Sequence, residues 1–326
     1  MEERYLITGG GGFLGAWIAR RLIEDGARVA ILDSTLDSPI LEQVLEPAHL
    51  ERIHRTCGDV VDGSVVGGAI ALSGATVVIH LAGLQVPACR ADPLRGARVN
   101  VLGTLSVFEA ARASRGQVRS VIYASSAAVA GPPVDYPAAI PDGAHHIPRT
   151  HYGVFKLANE GSARVYWEDH RIPSVGIRPL AIYGPGREVG LTSGPTKAIK
   201  AAVLGRDYVI SFSGRTGFSY VEDVAAAFAA SARRSTEGAR AFNLRGSVMT
   251  VEEFVAVLES VIPEAAGTIR VTGPVVPVAY DVLDSGLESF LGELPRTPVA
   301  EGIRRTPIRF RELQARGKLN VRDLES

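Results

Sequence analysis

The stretch Tyr5-Leu6-Ile7-Thr8-Gly9-Gly10-Gly11-Gly12-Phe13-Leu14-Gly15 decides the fold. A short apolar run, the pattern of a buried strand, breaks into glycines and passes directly into Ala16-Trp17-Ile18-Ala19-Arg20-Arg21-Leu22, which reads as a helix. In that setting Gly9 permits a tight turn, Gly12 lets the backbone approach a pyrophosphate, and Gly15 lets the helix pack closely on the strand. Phe13 and Leu14 open the helix, whose free N–H groups would face the diphosphate. A plain strand-to-helix turn also explains two of the glycines, so the second strand carries the decision. Ala30-Ile31-Leu32-Asp33 ends 18 residues beyond Gly15 with a carboxylate. There a carboxylate accepts both hydroxyls of an adenosine ribose and repels a 2′-phosphate, so Asp33 favours NAD over NADP.

Outward from this turn, further apolar runs recur at 29–32, 77–81, 121–123 and 175–177. Strands that are apolar throughout belong to a parallel sheet covered on both faces. Helix-period segments near 14–25, 62–72, 94–113 and 152–169 are long enough for crossovers between such strands. The pattern predicts an α/β fold: a Rossmann-type doubly wound parallel sheet over residues 1–180, then a smaller mixed cap over 181–326 from which some segments return to the core. Cap helices are expected near 195–204, 222–234, 250–261, 281–291 and 308–316.

Composition narrows the function classes. The 326 residues carry 35 Lys+Arg against 35 Asp+Glu, and 46% are hydrophobic, which excludes a disordered chain and argues against a nucleic-acid binder. Cys57 and Cys89 are too few for a disulfide framework or a four-ligand zinc site, and His145-His146 lack a third ligand, so no metal is expected. The opening MEERYLITGG has no leader pattern and no run of about 18 uncharged apolar residues occurs, so the expectation is a cytoplasmic protein without a membrane partner.

Eight segments then fall in a telling order: TGGGGFLG (8–15), GDVVD (58–62), VIHLAGLQ (78–85), NVLGT (100–104), YASSAAVAG (123–131), YGVFK (152–156), RPLAIYGPG (178–186) and YVEDVA (220–225). Through them the chain resembles, over nearly its whole length, the extended short-chain dehydrogenases/reductases, also called NAD-dependent epimerases/dehydratases. The resemblance implies Asp59 and Val60 beside the adenine, Leu81, Ala82 and Gly83 along the pyrophosphate and ribose, and Pro179 against the nicotinamide amide. It implies Asn100 holding the next strand and the cofactor, for which a purely structural bridge between backbone groups is an equal reading. It also implies a homodimer through the long helices near 94–113 and 152–169.

Ser126, Tyr152 and Lys156 form the expected catalytic group. At i and i+4 of a helix, Tyr152 and Lys156 share a face, so an ammonium reaches a phenol and favours its ionisation near neutrality. Tyr152 would then remove the proton of a substrate hydroxyl as hydride leaves the same carbon. Lys156 should also bond the nicotinamide ribose. Ser126, at the carboxyl end of a strand, would bond the reacting oxygen, or else merely cap a turn.

Departures from the family pattern bear on the substrate. Ala127 and Ala128 stand where dehydratases carry an acidic pair, so dehydration is not expected. Sugar-nucleotide epimerases usually place an Asn and an Arg on the diphosphate, where this chain has Ala181 and Thr216-Gly217-Phe218-Ser219. Arg187 or Arg215 are the candidates to compensate. Ala130, replacing a family tyrosine, either leaves room by the nicotinamide or reflects packing. Substrate contacts are expected among Gln85, Ser126, His151, Arg187, Thr192, Ser193 and Phe218, with His151 equally readable as a helix terminus facing water. The sequence thus predicts an NAD-dependent oxidoreductase or epimerase acting at a secondary alcohol of a sugar, sugar-derived compound or hydroxy acid. A nucleotide-sugar 4-epimerase is the alternative, and a non-catalytic NAD-sensing module the reading that the intact triad disfavours.

Overall fold

The computed structural model describes residues 3–325. Its first half alternates strand and helix: β1 (Arg4–Thr8), α1 (Phe13–Glu24), β2 (Arg28–Asp33), the short α2 (Pro39–Val44) and α3 (Pro47–Leu50), β3 (His54–Cys57), α4 (Gly63–Ser73) and β4 (Val77–His80). There follow α5 (Val86–Ala91), α6 (Pro93–Ala97), a π-helical turn (Arg98–Leu102), α7 (Gly103–Ala113), β5 (Ser120–Ala124), α8 (His151–His170) and β6 (Ser174–Pro179). The remainder comprises β7 (Ala181–Tyr183), α9 (Gly194–Val203), β8 (Tyr208–Ile210), β9 (Arg215–Tyr220), α10 (Val221–Arg233) and β10 (Ala239–Leu244). It closes with β11 (Ser247–Thr250), α11 (Val251–Val261), β12 (Ile269–Val271), α12 (Ser285–Leu291) and α13 (Val299–Ala315).

Seven parallel strands form the main sheet in the order β10-β6-β5-β4-β1-β2-β3. The order reverses between β1 and β4, the crevice where doubly wound sheets bind ligands. Side chains alternate between two cores. Ile7, Ile31 and Ile79 join Trp17 of α1 and Phe228 of α10 on one face. Leu6, Leu32 and Val78 join Val66 of α4 and Phe108 of α7 on the other. Each fully buried residue of this kind contributes about 1.5–3 kcal/mol, which is why the strands read as continuous apolar runs.

Two strands of this sheet escape a reading by apolar runs. The side chains of β3, His54-Arg55-Thr56-Cys57, are mostly exposed at one edge, so no apolar run marks it. At the opposite edge, β10 comes from beyond residue 180 and pairs with β6, Phe242 beside Ile177. The segment 94–113 is helical throughout, as expected, but it runs through a π turn in its middle. Its π turn widens the backbone at Asn100 and turns that side chain inward, leaving it 1% exposed. In the cap, β7, β9 and β11 form a small sheet whose Tyr183 and Phe218 pack on Phe254 of α11.

Candidate active site

The glycine turn is built as the spacing demands. Gly9 adopts φ +69° and donates to Leu32 O at 2.8 Å, and a Cβ there would lie 2.6 Å from Ala82 N. A Cβ at Gly15 would stand 2.6 Å from Gly10 Cα, so any side chain would push α1 off the turn. Gly12 occupies the N-cap of α1 without a side-chain cap, and no acidic residue sits in the first turn. The free N–H groups at the start of the helix thus have no side-chain cap from α1 itself. Asp33, half-buried beside it, accepts from Gly11 N–H at 2.9 Å and Ser34 N–H at 2.7 Å, which fixes its carboxylate at the lip of the turn. An anion-seeking helix end next to an oriented carboxylate fits the diphosphate and ribose of a dinucleotide.

The loop after β4 forms the other wall, with Leu81 and Ala82 half-buried and Gly83 exposed. Asn100 pins it, accepting from Leu84 N–H at 2.7 Å and donating to Leu84 O at 2.9 Å. The structural bridge is thus what its side chain does here. Behind it runs a buried chain. Thr104 donates its one proton to Asn100 O at 2.7 Å, so it accepts from His80 Nε2 at 3.0 Å, and His80 Nδ1 accepts from Thr8 at 2.7 Å. Burial holds His80 down to about 3, keeping the ring neutral. Asp59 is exposed and accepts from Val61 N–H, while Val60 packs over Gly103 and Pro179 is buried at the end of β6.

The catalytic group is assembled by a close approach of α8. Thr150 caps the helix, accepting from Gly153 N–H at 3.0 Å. A Cβ at Gly153 would collide with Ala128 O, so only glycine lets the helix press against the turn that follows Ser126. Ser126 Oγ accepts from Ala128 N–H at 3.1 Å and stands close enough to the Tyr152 phenol to favour its ionised form. Lys156 Nζ lies 5.6 Å from the Tyr152 ring centre and donates to Ala124 O at 2.6 Å. Burial lowers Lys156 to about 8. Burial pushes the Tyr152 phenol up, opposed by the nearby Ser126 hydroxyl and by the charge of Arg187. Two cations therefore lie near the phenol, Lys156 from the same helix face and Arg187 from the loop after β7.

A support that sequence reasoning missed lies one turn further along α8. Glu160 accepts from Ser125 Oγ at 2.5 Å and from both ends of the Arg178 fork at 2.7 and 2.6 Å. Arg178 also donates to Asp142 O at 2.9 Å, tying the loop before α8 to the sheet. The available signal was the spacing Tyr152, Lys156, Glu160, which puts all three on one helix face.

The substrate candidates separate. Gln85 Oε1 and an Arg187 terminal nitrogen converge on Gly190, and Thr192 is half-buried in the same loop. Ser193 is buried at the start of α9 without a side-chain cap bond. Phe218 is 2% exposed with its ring centre 4.8 Å from that of Phe254, in the same hydrophobic core as Ile7 and Ile31 of the main sheet. His151 is exposed and stacks on Phe155, the water-facing reading. Arg215 pairs on the surface with Glu253 at 3.7 Å, and Ala130 packs with Ile140, Ala279 and Val282. Next to Arg187, Glu188 faces inward, accepting from Gln43 at 2.9 Å and Asn320 at 2.7 Å. Lys200 lies 3.8 Å from it and clasps both oxygens of Asp323 at 2.9 Å. Among the described residues no cluster of His, Cys, Asp or Glu is placed to hold a metal, and no helix is long and apolar enough to cross a membrane.

A doubly wound sheet with a glycine turn, a ribose-type carboxylate and a Ser-Tyr-Lys group defines an NAD-dependent enzyme of the short-chain dehydrogenase/reductase class. The chain belongs to the NAD dependent epimerase/dehydratase family, whose model matches residues 5–244. It is 30% identical to a UDP-glucose 4-epimerase of Mycolicibacterium smegmatis over 94% of this chain and 98% of that protein. A D-erythronate dehydrogenase of Cupriavidus necator is 34% identical over 53% of this chain and 56% of its own. Among solved structures, a UDP-N-acetylglucosamine 4-epimerase from Methanobrevibacter ruminantium superposes with TM-score 0.81 at 25% identity, covering 96% of this chain and 99% of the other.

Proposed function

We propose that the chain moves hydride between NAD and a secondary alcohol carbon of a small free carbohydrate or hydroxy acid. The observation that carries this reading is the gathering of Ser126, Tyr152 and Lys156, with Lys156 Nζ 5.6 Å from the Tyr152 ring centre, at the carboxyl ends of β4 and β5. NAD, when bound, accepts the hydride. Tyr152 takes the hydroxyl proton, Ser126 bonds the same oxygen, and Lys156, held by Ala124 O, places its charge beside the phenol as the proton arrives. Residues 1–180 would hold the cofactor and this group, and 181–326 chiefly the substrate.

Two observations favour a small substrate. Ala181 offers no amide to a diphosphate, and β9 offers no guanidinium at Thr216-Gly217-Phe218-Ser219. Such contacts contribute a few kcal/mol in total, roughly a hundredfold in affinity. The relative named as a D-erythronate dehydrogenase supports a small hydroxy acid. A second reading, nucleotide-sugar 4-epimerisation, is favoured by the match to a UDP-glucose 4-epimerase over nearly the whole chain.

Cofactor handling separates the two, since an epimerase retains NAD through each cycle and a dehydrogenase exchanges it. Purified protein is desalted, assayed for bound NAD, then given free sugars, hydroxy acids and UDP-glucose with excess NAD. The expected result is NAD lost on desalting and NADH accumulating with a small substrate. Epimerised UDP-glucose with retained NAD and no net NADH would overturn the small-substrate reading. We further propose a cytoplasmic homodimer joined through α8 and the π turn leading into α7, where Val154, Val165 and Leu102 are 47–49% exposed.

A further inference from the structure

Arg187 is a charged fork without a mate. Its neighbour Glu188 turns into the protein, toward Gln43, Asn320 and Lys200. Arg187 turns the other way, its guanidinium carbon 5.5 Å from the ring centre of Phe13. A terminal nitrogen stands 3.1 Å from where a Cβ at Gly190 would lie, and Gln85 Oε1 reaches the same spot. Its Nε is buried without a hydrogen-bond partner, and among the described residues no carboxylate pairs with the guanidinium. A planar fork held this way matches a planar acceptor with two oxygens, and a carboxylate is that acceptor.

Its place in the cleft limits where that acceptor lies. The glycine turn already aims the N–H end of α1 at a diphosphate, whereas Arg187 meets Gln85, two residues past Gly83, where a Cβ would lie 3.7 Å from Lys156 Nζ of the catalytic group. We propose that Arg187 is a specificity residue that binds a carboxylate carried by the substrate close to the alcohol carbon being oxidised, so that the substrate is a hydroxy acid. This rests on the hydride-transfer reading and narrows it.

The test uses NAD-loaded wild-type protein, Arg187→Met and Arg187→Lys, titrated by calorimetry. The probes are erythronate and gluconate, the uncharged polyols erythritol and glucitol, and UDP-glucose, with NAD affinity and NADH formation followed in parallel. A charge-assisted fork should make the acids bind at least about tenfold more tightly than the polyols. Arg187→Met should erase that preference with NAD affinity within about twofold, and Arg187→Lys should keep part of it. Absence of an acid preference in wild type would overturn the proposal. So would an Arg187→Met protein that loses NAD or UDP-glucose as severely as the acids, since the fork would then belong to a diphosphate. If polyols yield NADH as well as acids do, the carboxylate site fails and hydride transfer stands. If acids bind through Arg187 but no probe yields NADH, the site stands and the hydride-transfer reading fails.

Discussion

Tyr152 must release its proton for an alcohol to be oxidised, and burial holds that proton on. The phenolate fraction grows as pH rises toward the raised value, so the oxidation rate should climb from neutral into alkaline solution. In Tyr152→Phe the climb should vanish, with kcat lower by about 10²–10⁴-fold and NAD binding intact. A pH–rate profile that survives the substitution would assign the proton to another group. Asp33→Ala should raise kcat/KM with NADP relative to NAD, because the 2′-phosphate no longer meets a carboxylate. An unchanged cofactor ratio would remove Asp33 from the ribose. These residues were legible because their type and spacing are fixed by local geometry: a glycine where φ is +69°, a Tyr and Lys on one turn of α8. The part of Arg187 was not. A guanidinium reads alike whether solvated or stranded, and only the inward turn of Glu188 shows which it is.

Elements meet at two buried polar junctions. His80 joins β1, β4 and α7 through Thr8 and Thr104. Its folded value of about 3 lies below the ordinary 6.5, so the unfolded chain takes up the proton first on acidification. Its contribution is complete above about pH 6.5 and is lost as pH falls toward 3. His80→Gln should flatten that part of the stability curve, measured as urea midpoints between pH 7 and 4. The same slope in the variant would refute a neutral, protected ring. At the second junction, Glu160→Gln strands the Arg178 charge and should lower stability by about 3–5 kcal/mol, read from denaturant unfolding. Glu160→Met with Arg178→Met should recover much of the loss. The helical spacing points to Glu160, but the partners at both junctions are chosen across the sheet and do not show in the primary pattern. The same holds for β3 and β10, edge strands whose mixed polarity hides them, while the doubly covered inner strands announce themselves by apolar runs. The π turn is likewise silent until Asn100 is seen pinning the loop after β4.

At the scale of the molecule, α8 and the π turn leading into α7 bear the apolar side chains that a second copy would cover. Sedimentation should give a dimer, and Val154→Glu with Val165→Glu should shift it to monomer. A monomeric wild type would overturn the proposed pairing. A quieter long-range dependence runs through Lys200, which fastens Asp323 on one side and lies against Glu188 on the other. The last turn of the chain is thereby a tether for the loop that presents Arg187. Trimming the tail after Leu319 would leave the glycine cradle whole. The trimmed protein should still hold its dinucleotide yet grow careless about what it oxidises, an error of judgement caused by an injury more than a hundred residues away in sequence.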